Sequence, residues 1–114
     1  MRTDKPWGYE ELIEVNDSYA IKRIFMKAGH KCSLQKHLKK RETFVLLSGT
    51  MKYTHPTGVD IVINQNADVP IYAAYTIQPG EVHRMEAITD ILYLECSTPE
   101  LDDVERLDDD YDRL

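Results

Sequence analysis

Three side chains that can ligate a metal fall within eight residues of the segment SLQKHLKKRETFVLLSG (Ser33–Gly49): Gln35, His37 and Glu42. A fourth, His83, follows the turn Pro79-Gly80 far along the chain. Two imidazole nitrogens, a carboxylate and an amide oxygen make a donor set suited to a borderline divalent ion. On a strand, Gln35 and His37 share a face, because side chains alternate with a period of two. Glu42 opens the apolar run that follows, and a short connection brings it back beside them. Gly29 and Gly49 bracket the set at positions where a side chain would interfere. Taken singly, a histidine near a strand end is ordinarily a surface or satisfied core residue, so the weight lies on the joint spacing.

The elements that must position these groups read as strands. YAIKRIFMKA (19–28) is rich in β-branched and aromatic residues. ETFVLLSGTMKYTH (42–55) alternates partly and is expected to break into a hairpin at Ser48-Gly49. VDIVINQ (59–65), PIYAAYTIQ (70–78), VHRMEAI (82–88) and DILYLECST (90–98) follow, separated by turn signals. KPWGYEELIEV reads as an edge strand after a turn, with Trp7 as an anchor. The acidic segment 99–114 holds either a helix or an extended stretch that packs on the barrel or trails from it. Short strands spaced by turns predict an all-β fold, an antiparallel sandwich or closed barrel formed by one domain over residues 1–114.

Composition narrows the function. The 114 residues are 42% hydrophobic, enough for one core, and 14 basic against 20 acidic residues give a formal charge of -6. That sign excludes a generic nucleic-acid binder. Lys36–Arg41 is nevertheless a basic cluster beside the expected ligands, able to attract an anionic small molecule. Two cysteines are too few for a disulfide framework; Cys96 is expected in the core and reduced, and Cys32 has no neighbouring base. No opening apolar core marks a signal peptide, and no run approaches the roughly 20 apolar residues that span a bilayer. A cytoplasmic protein without membrane partners is the expectation.

The spacing resembles the cupin family. Its first motif sets Gly, His-x-His, Glu and Gly at intervals matched here by Gly29, Gln35, His37, Glu42 and Gly49, with Gln in place of the first His. Its second motif is matched by Gly80 and His83 in IQPGEVH. KPWGYEEL, YAIKRIFMKAG, CSLQKH, VHRMEA and the ending VERLDDDYDR are similar to the C-terminal isomerase domain of type II mannose-6-phosphate isomerase/mannose-1-phosphate guanylyltransferases. Leu38 and Lys39 stand where that family has further histidines.

The resemblance implies a cupin (double-stranded β-helix, or jelly-roll) barrel in which Gln35, His37, Glu42 and His83 hold a divalent ion. Zinc leads, with manganese, cobalt, nickel or iron as alternatives. It implies a sugar-phosphate (mannose-6-phosphate-like) aldose–ketose isomerase, with a homodimer as the expected assembly. A non-catalytic sugar or sugar-nucleotide binding cupin is the alternative, and a metal-dependent oxygenase the second. Ser33 and Lys39 share strand parity with Gln35 and His37, and Lys22 lies on a neighbouring strand; these are candidate substrate contacts. Arg84 is a fourth candidate, although its parity sends it to the opposite face, toward the acidic tail.

Overall fold

The computed structural model describes residues 1–66 and 72–113. Ten strands make up its regular structure: β1 Arg2–Lys5, β2 Gly8–Val15, β3 Ala20–Met26, β4 Leu34–Lys36, β5 Glu42–Thr54, β6 Asp60–Gln65, β7 Ala74–Ile77, β8 Arg84–Ala87, β9 Ile91–Ser97 and β10 Glu105–Asp108. There is no helix among the described residues, so none is long and apolar enough to cross a membrane. Every strand pairing is antiparallel. The main sheet runs β1-β2-β3-β9-β5-β6, with β7 and β8 also on β5, while β10 pairs with β4.

Strand β5 is the spine. Its first half pairs with β9 and β7, and its second half with β6 and β8. The expected hairpin at Ser48-Gly49 does not form, and the strand runs through. What the sequence shows there is a change of phase. Glu42, Phe44 and Leu46 face inward on even numbers, whereas Met51 and Tyr53 face inward on odd ones. The pairing with β9 slips between Leu46 and Ser48, and an inserted residue of this kind reverses which parity faces the core. Gly49 completes the distortion. Its φ is +93°, and a Cβ there would lie 2.2 Å from the Asp90 carbonyl oxygen in the turn before β9.

The two halves of β5 thus wrap one core. Phe44, Leu46, Met51 and Tyr53 meet Ile24 and Met26 of β3, Ile91 and Tyr93 of β9, and Met85 of β8, all almost fully buried. Phe44 sits edge-on to Tyr53 and Tyr93, with ring centroids 5.0 and 6.2 Å away. Trp7 is buried in the same core, at the turn between β1 and β2. Its segment is therefore the bend of a hairpin, and Arg2–Lys5 forms the outer edge.

Two further expectations change. Cys96 is exposed, and Cys32 is the buried cysteine. On β9 the inward parity belongs to Ile91, Tyr93 and Glu95, which puts a carboxylate inside and the thiol outside. The acidic tail is extended: β10 lies antiparallel to β4, with Arg106 opposite Gln35. Of the strand expected over 70–78, Ala74–Ile77 is formed; residues 67–71 lie outside the described residues.

Candidate metal centre

His37, Glu42 and His83 converge inside the barrel. One potential ligand atom from each lies within 4.8 Å of the others, and all three residues are buried. Three different elements deliver them. Glu42 is the first residue of β5. His37 follows β4 directly, where the chain turns. His83 precedes β8 and is tied back to β4 by reciprocal backbone hydrogen bonds with Gln35, of 3.0 and 2.9 Å. Gln35 and His37 line the same cavity.

The hydrogen bonding of the two rings fixes their tautomers. His37 Nδ1 contacts the Asp103 carbonyl oxygen, and His83 Nδ1 lies 3.0 Å from the Glu81 carbonyl oxygen. A carbonyl only accepts, so each Nδ1 must carry the hydrogen and donate it. In the neutral rings both Nε2 lone pairs then face the same carboxylate oxygen. His37 Nε2 and His83 Nε2 are each 3.1 Å from Glu42 Oε1. Three acceptor atoms converge in a buried space with no hydrogen of their own to share.

Two of the buried polar atoms here, His83 Nε2 and Glu42 Oε2, have no hydrogen-bond partner among the described residues. Leaving such groups unsatisfied costs about 1–3 kcal/mol each. A cation placed among the three acceptors satisfies them, and imidazoles held from behind by carbonyls are the usual outer support of a metal site. The donor set therefore fits a divalent ion. Gln35 stands beside the three on the cavity lining, and its Oε1 accepts a hydrogen bond of 2.8 Å from Ser33 Oγ.

The surrounding charges are as ordered as the ligands. Lys40 is buried with its Nζ 3.4 Å from Glu42 Oε2 and 3.5 Å from Glu95 Oε1. Burial raises the Glu42 pKa, but its polar neighbours, the Lys40 ammonium among them, outweigh it and hold this carboxyl well below the usual range. Burial and the Glu42 charge push Glu95 well above its usual range. Burial works against the Lys40 ammonium, yet the Glu95 and Glu42 carboxylates raise its pKa on balance. Glu42 is the member of this cluster that keeps its negative charge, and Glu95 tends to its neutral form.

The tail helps to build the centre. The Asp103 carboxylate accepts the backbone N–H groups of Leu38, Lys39 and Lys40 at 3.0, 2.7 and 2.8 Å, which brings its pKa down to about 2. This cap holds the loop after β4 in a turn and, with the carbonyl of the same residue on His37, fixes that ring.

Of the candidate substrate contacts, Lys22 lines the cavity beside Lys5, Glu10 and Arg106. Ser33 is buried and points its hydroxyl at Gln35. Lys39 does not reach the cavity: β4 ends at Lys36, the alternation ends with it, and the side chain is exposed. Arg84 is likewise outside, donating to the Cys32 carbonyl and pairing with Asp108 and Asp110 of the tail, as its parity implied. Sequence reasoning missed Lys40 and Glu95. The signal for Glu95 was present, as the one charge inside the apolar run ILYLEC.

The family described as "Mannose-6-phosphate isomerase C-terminal" matches residues 1–109. The chain belongs to that family. A mannose-1-phosphate guanylyltransferase of Escherichia coli K12 is 31% identical over 113 residues, covering 96% of this chain and 23% of that protein. A putative mannose-1-phosphate guanylyltransferase of Vibrio cholerae is 35% identical over 80 residues, covering 68% of this chain and 17% of that protein. The chain thus spans less than a quarter of these curated relatives. Among solved structures, KdgF from a Halomonas species superposes with a TM-score of 0.76 at 12% identity, covering 90% of each chain. An RmlC-like cupin from Shewanella frigidimarina gives 0.76 at 14% identity, over 89% of this chain and 85% of that one. The fold is that of a cupin, the double-stranded β-helix expected for a mannose-6-phosphate isomerase C-terminal domain.

Proposed function

We propose that this cupin is a metal-dependent aldose–ketose isomerase domain acting on a hexose phosphate of the mannose 6-phosphate type. The observation that carries this reading is the convergence of His37 Nε2, His83 Nε2 and Glu42 Oε1 on one buried point. His37, Glu42 and His83 would hold the ion, with Gln35 as the neutral fourth donor. The membership in a mannose-6-phosphate isomerase family supports the substrate class.

The reaction moves a proton between adjacent carbons while negative charge grows on oxygen. A bound divalent ion supplies Lewis acidity toward those oxygens. The chain's own residues prepare the place. The carbonyls of Asp103 and Glu81 hold the two rings in the tautomer that presents Nε2 inward. Gln35 adds no charge, so the ion keeps more of its own than it would beside a second carboxylate. Trp7, Ile24, Met85 and Tyr93 wall the cavity with apolar surface and lower its effective dielectric.

Zinc is the first ion to try. The test is to load purified protein with zinc, manganese, cobalt, nickel or iron(II), add mannose 6-phosphate and follow fructose 6-phosphate. Turnover that disappears in His37→Ala is the expected result. Failure to form product with every ion would leave the second reading, a sugar-phosphate binding module without turnover. That alternative draws on Leu38 and Lys39, which occupy family histidine positions and are both exposed here.

A further inference from the structure

The cavity beside the metal centre is lined by five cationic side chains, Lys5, Lys22, Lys40, Arg106 and Arg113. Four of them are engaged by carboxylates. Lys5 and Lys22 approach Glu10 at 4.0 and 3.3 Å, Lys40 bridges Glu42 and Glu95, and Arg113 makes a two-pronged contact with Asp109 at 2.9 Å on both arms. Arg106 is different. Among the described residues it makes no ion pair, and its Nε is buried without a hydrogen-bond partner. Asp109 feels its charge but is already committed to Arg113.

A guanidinium with a buried, unsatisfied N–H is costly unless something completes it. Its position says what that would be. Arg106 lies opposite Gln35 in the β10–β4 pairing, and both side chains line one cavity. Directly opposed residues have Cβ atoms about 4.5–5.5 Å apart. The guanidinium therefore stands one cross-strand step from the residues that face the metal centre.

We propose that Arg106 is the anion-recognition residue of this cavity and that it receives a phosphate monoester group, whose carbon chain then reaches the metal centre. The inference rests on the sugar-phosphate reading above and names the residue that would select for the phosphate. An arginine fork matches two oxygens of a phosphate at once, which a lysine ammonium does not. Lys5 and Lys22 lie on the same cavity wall and add positive potential. Because β10 belongs to the tail, the acidic C-terminal segment would supply both a brace for His37, through Asp103, and a contact for substrate, through Arg106.

The experiment is a calorimetric or NMR titration of the wild-type chain with inorganic phosphate, mannose 6-phosphate and mannose in turn. Arg106→Gln and Arg106→Lys are titrated in parallel, with melting temperature and metal content recorded for each. Losing a charge-assisted two-pronged contact should weaken phosphate and mannose 6-phosphate binding by on the order of tenfold or more in Arg106→Gln. Arg106→Lys, which keeps the charge and loses the fork, should lose less. Metal content should not change, and mannose should bind both variants as it binds the wild type. Binding of inorganic phosphate alone, with mannose 6-phosphate excluded, would show a free-phosphate site and overturn the assignment. So would equal phosphate affinity in all three proteins, or no phosphate binding by the wild type. If Arg106→Gln fails to fold, Arg106→Lys carries the same comparison. Arg106-dependent binding of mannose 6-phosphate without turnover would remove the isomerase reading and leave this subsite standing.

Discussion

Lys40→Met keeps most of a buried stem and deletes the ammonium that bridges Glu42 and Glu95. At 3.4 Å, and with the effective interior dielectric of about 20 that suits such sites, the Lys40–Glu42 attraction is about 5 kcal/mol. The contact to Glu95 at 3.5 Å contributes less, because that carboxyl is shifted toward its neutral form. Desolvation of the ammonium has offset much of the attraction, so the pair adds little net stability over an apolar replacement of both partners. Removing one partner is another matter, since Glu42 then stays buried without its cation, and losses of about 3–5 kcal/mol are typical. The measurement is urea unfolding of chelator-treated protein at neutral pH. With a slope of about 2 kcal/mol per molar urea, the midpoint should fall by roughly 2 M. Glu42→Gln in the same background removes the orphaned charge, and the double variant should recover about 1–3 kcal/mol relative to the sum of the single losses. A loss under about 1 kcal/mol in Lys40→Met, or single losses that simply add, would refute the charge assignment.

Saturating divalent ion, at about a hundredfold over its dissociation constant, should stabilise the chain by about 2.7 kcal/mol, seen as a higher melting temperature. His37→Ala, Glu42→Ala and His83→Ala should lose both the shift and the bound metal by elemental analysis; Gln35→Ala should weaken binding. Gly49→Ala should cost more than about 2 kcal/mol in urea unfolding, because φ is +93° and the new Cβ would meet the Asp90 carbonyl at 2.2 Å. Gly58→Ala, at φ +88° with nothing within 4 Å, isolates the backbone cost and should lose only about 1 kcal/mol. The Asp109 carboxyl is held at about 2 by Arg113, below its ordinary 3.8. A depressed folded-state pKa gives stability that is complete above about 4 and lost as pH falls toward 2. Asp109→Asn should flatten that acid loss in thermal melts recorded between those pH values.

The residues expected as ligands stood out because metal chemistry restricts both residue type and interval, and of them the structure brings His37, Glu42 and His83 together. Strand β5 was readable as strand but not as one strand. Ser48-Gly49 carries the composition of a turn, and the same composition serves a phase reversal, where glycine is needed by the carbonyl of Asp90 crossing over it. Period-two reasoning worked for Arg84 and failed for Lys39, since it holds only while the strand continues, and β4 is three residues long. Cys96 was expected inside because hydrophobicity ranks a thiol inward and a carboxylate outward. That ranking gives way when a distant partner, here Lys40, compensates the buried charge. The tail was the least legible part. Its Asp-rich composition left a helix and an extended stretch both open, and gave no sign that Asp103 uses its charge to cap three backbone N–H groups of a loop more than sixty residues earlier.

Net charge is a poor guide to the sign of an interior site, and this chain shows why. A formal charge of -6 would seem to repel a phosphate ester. The acidic residues of the tail are mostly exposed, and salt screens exposed charges beyond about 10 Å. The cavity wall, by contrast, carries five cations against Glu10, Glu95 and the Glu42 and Asp109 partners of Lys40 and Arg113; Glu95 tends to its neutral form, and Arg106 has no carboxylate of its own among the described residues. Low-dielectric walls strengthen that local excess. An anion therefore meets a weak, screened repulsion outside and an attraction that grows as it enters. If this is the balance, the affinity for inorganic phosphate should fall as salt rises, whereas repulsion by the outer surface would make it rise. A titration at 0.02 and 0.5 M sodium chloride distinguishes the two, at salt levels spanning Debye lengths of roughly 20 to 4 Å.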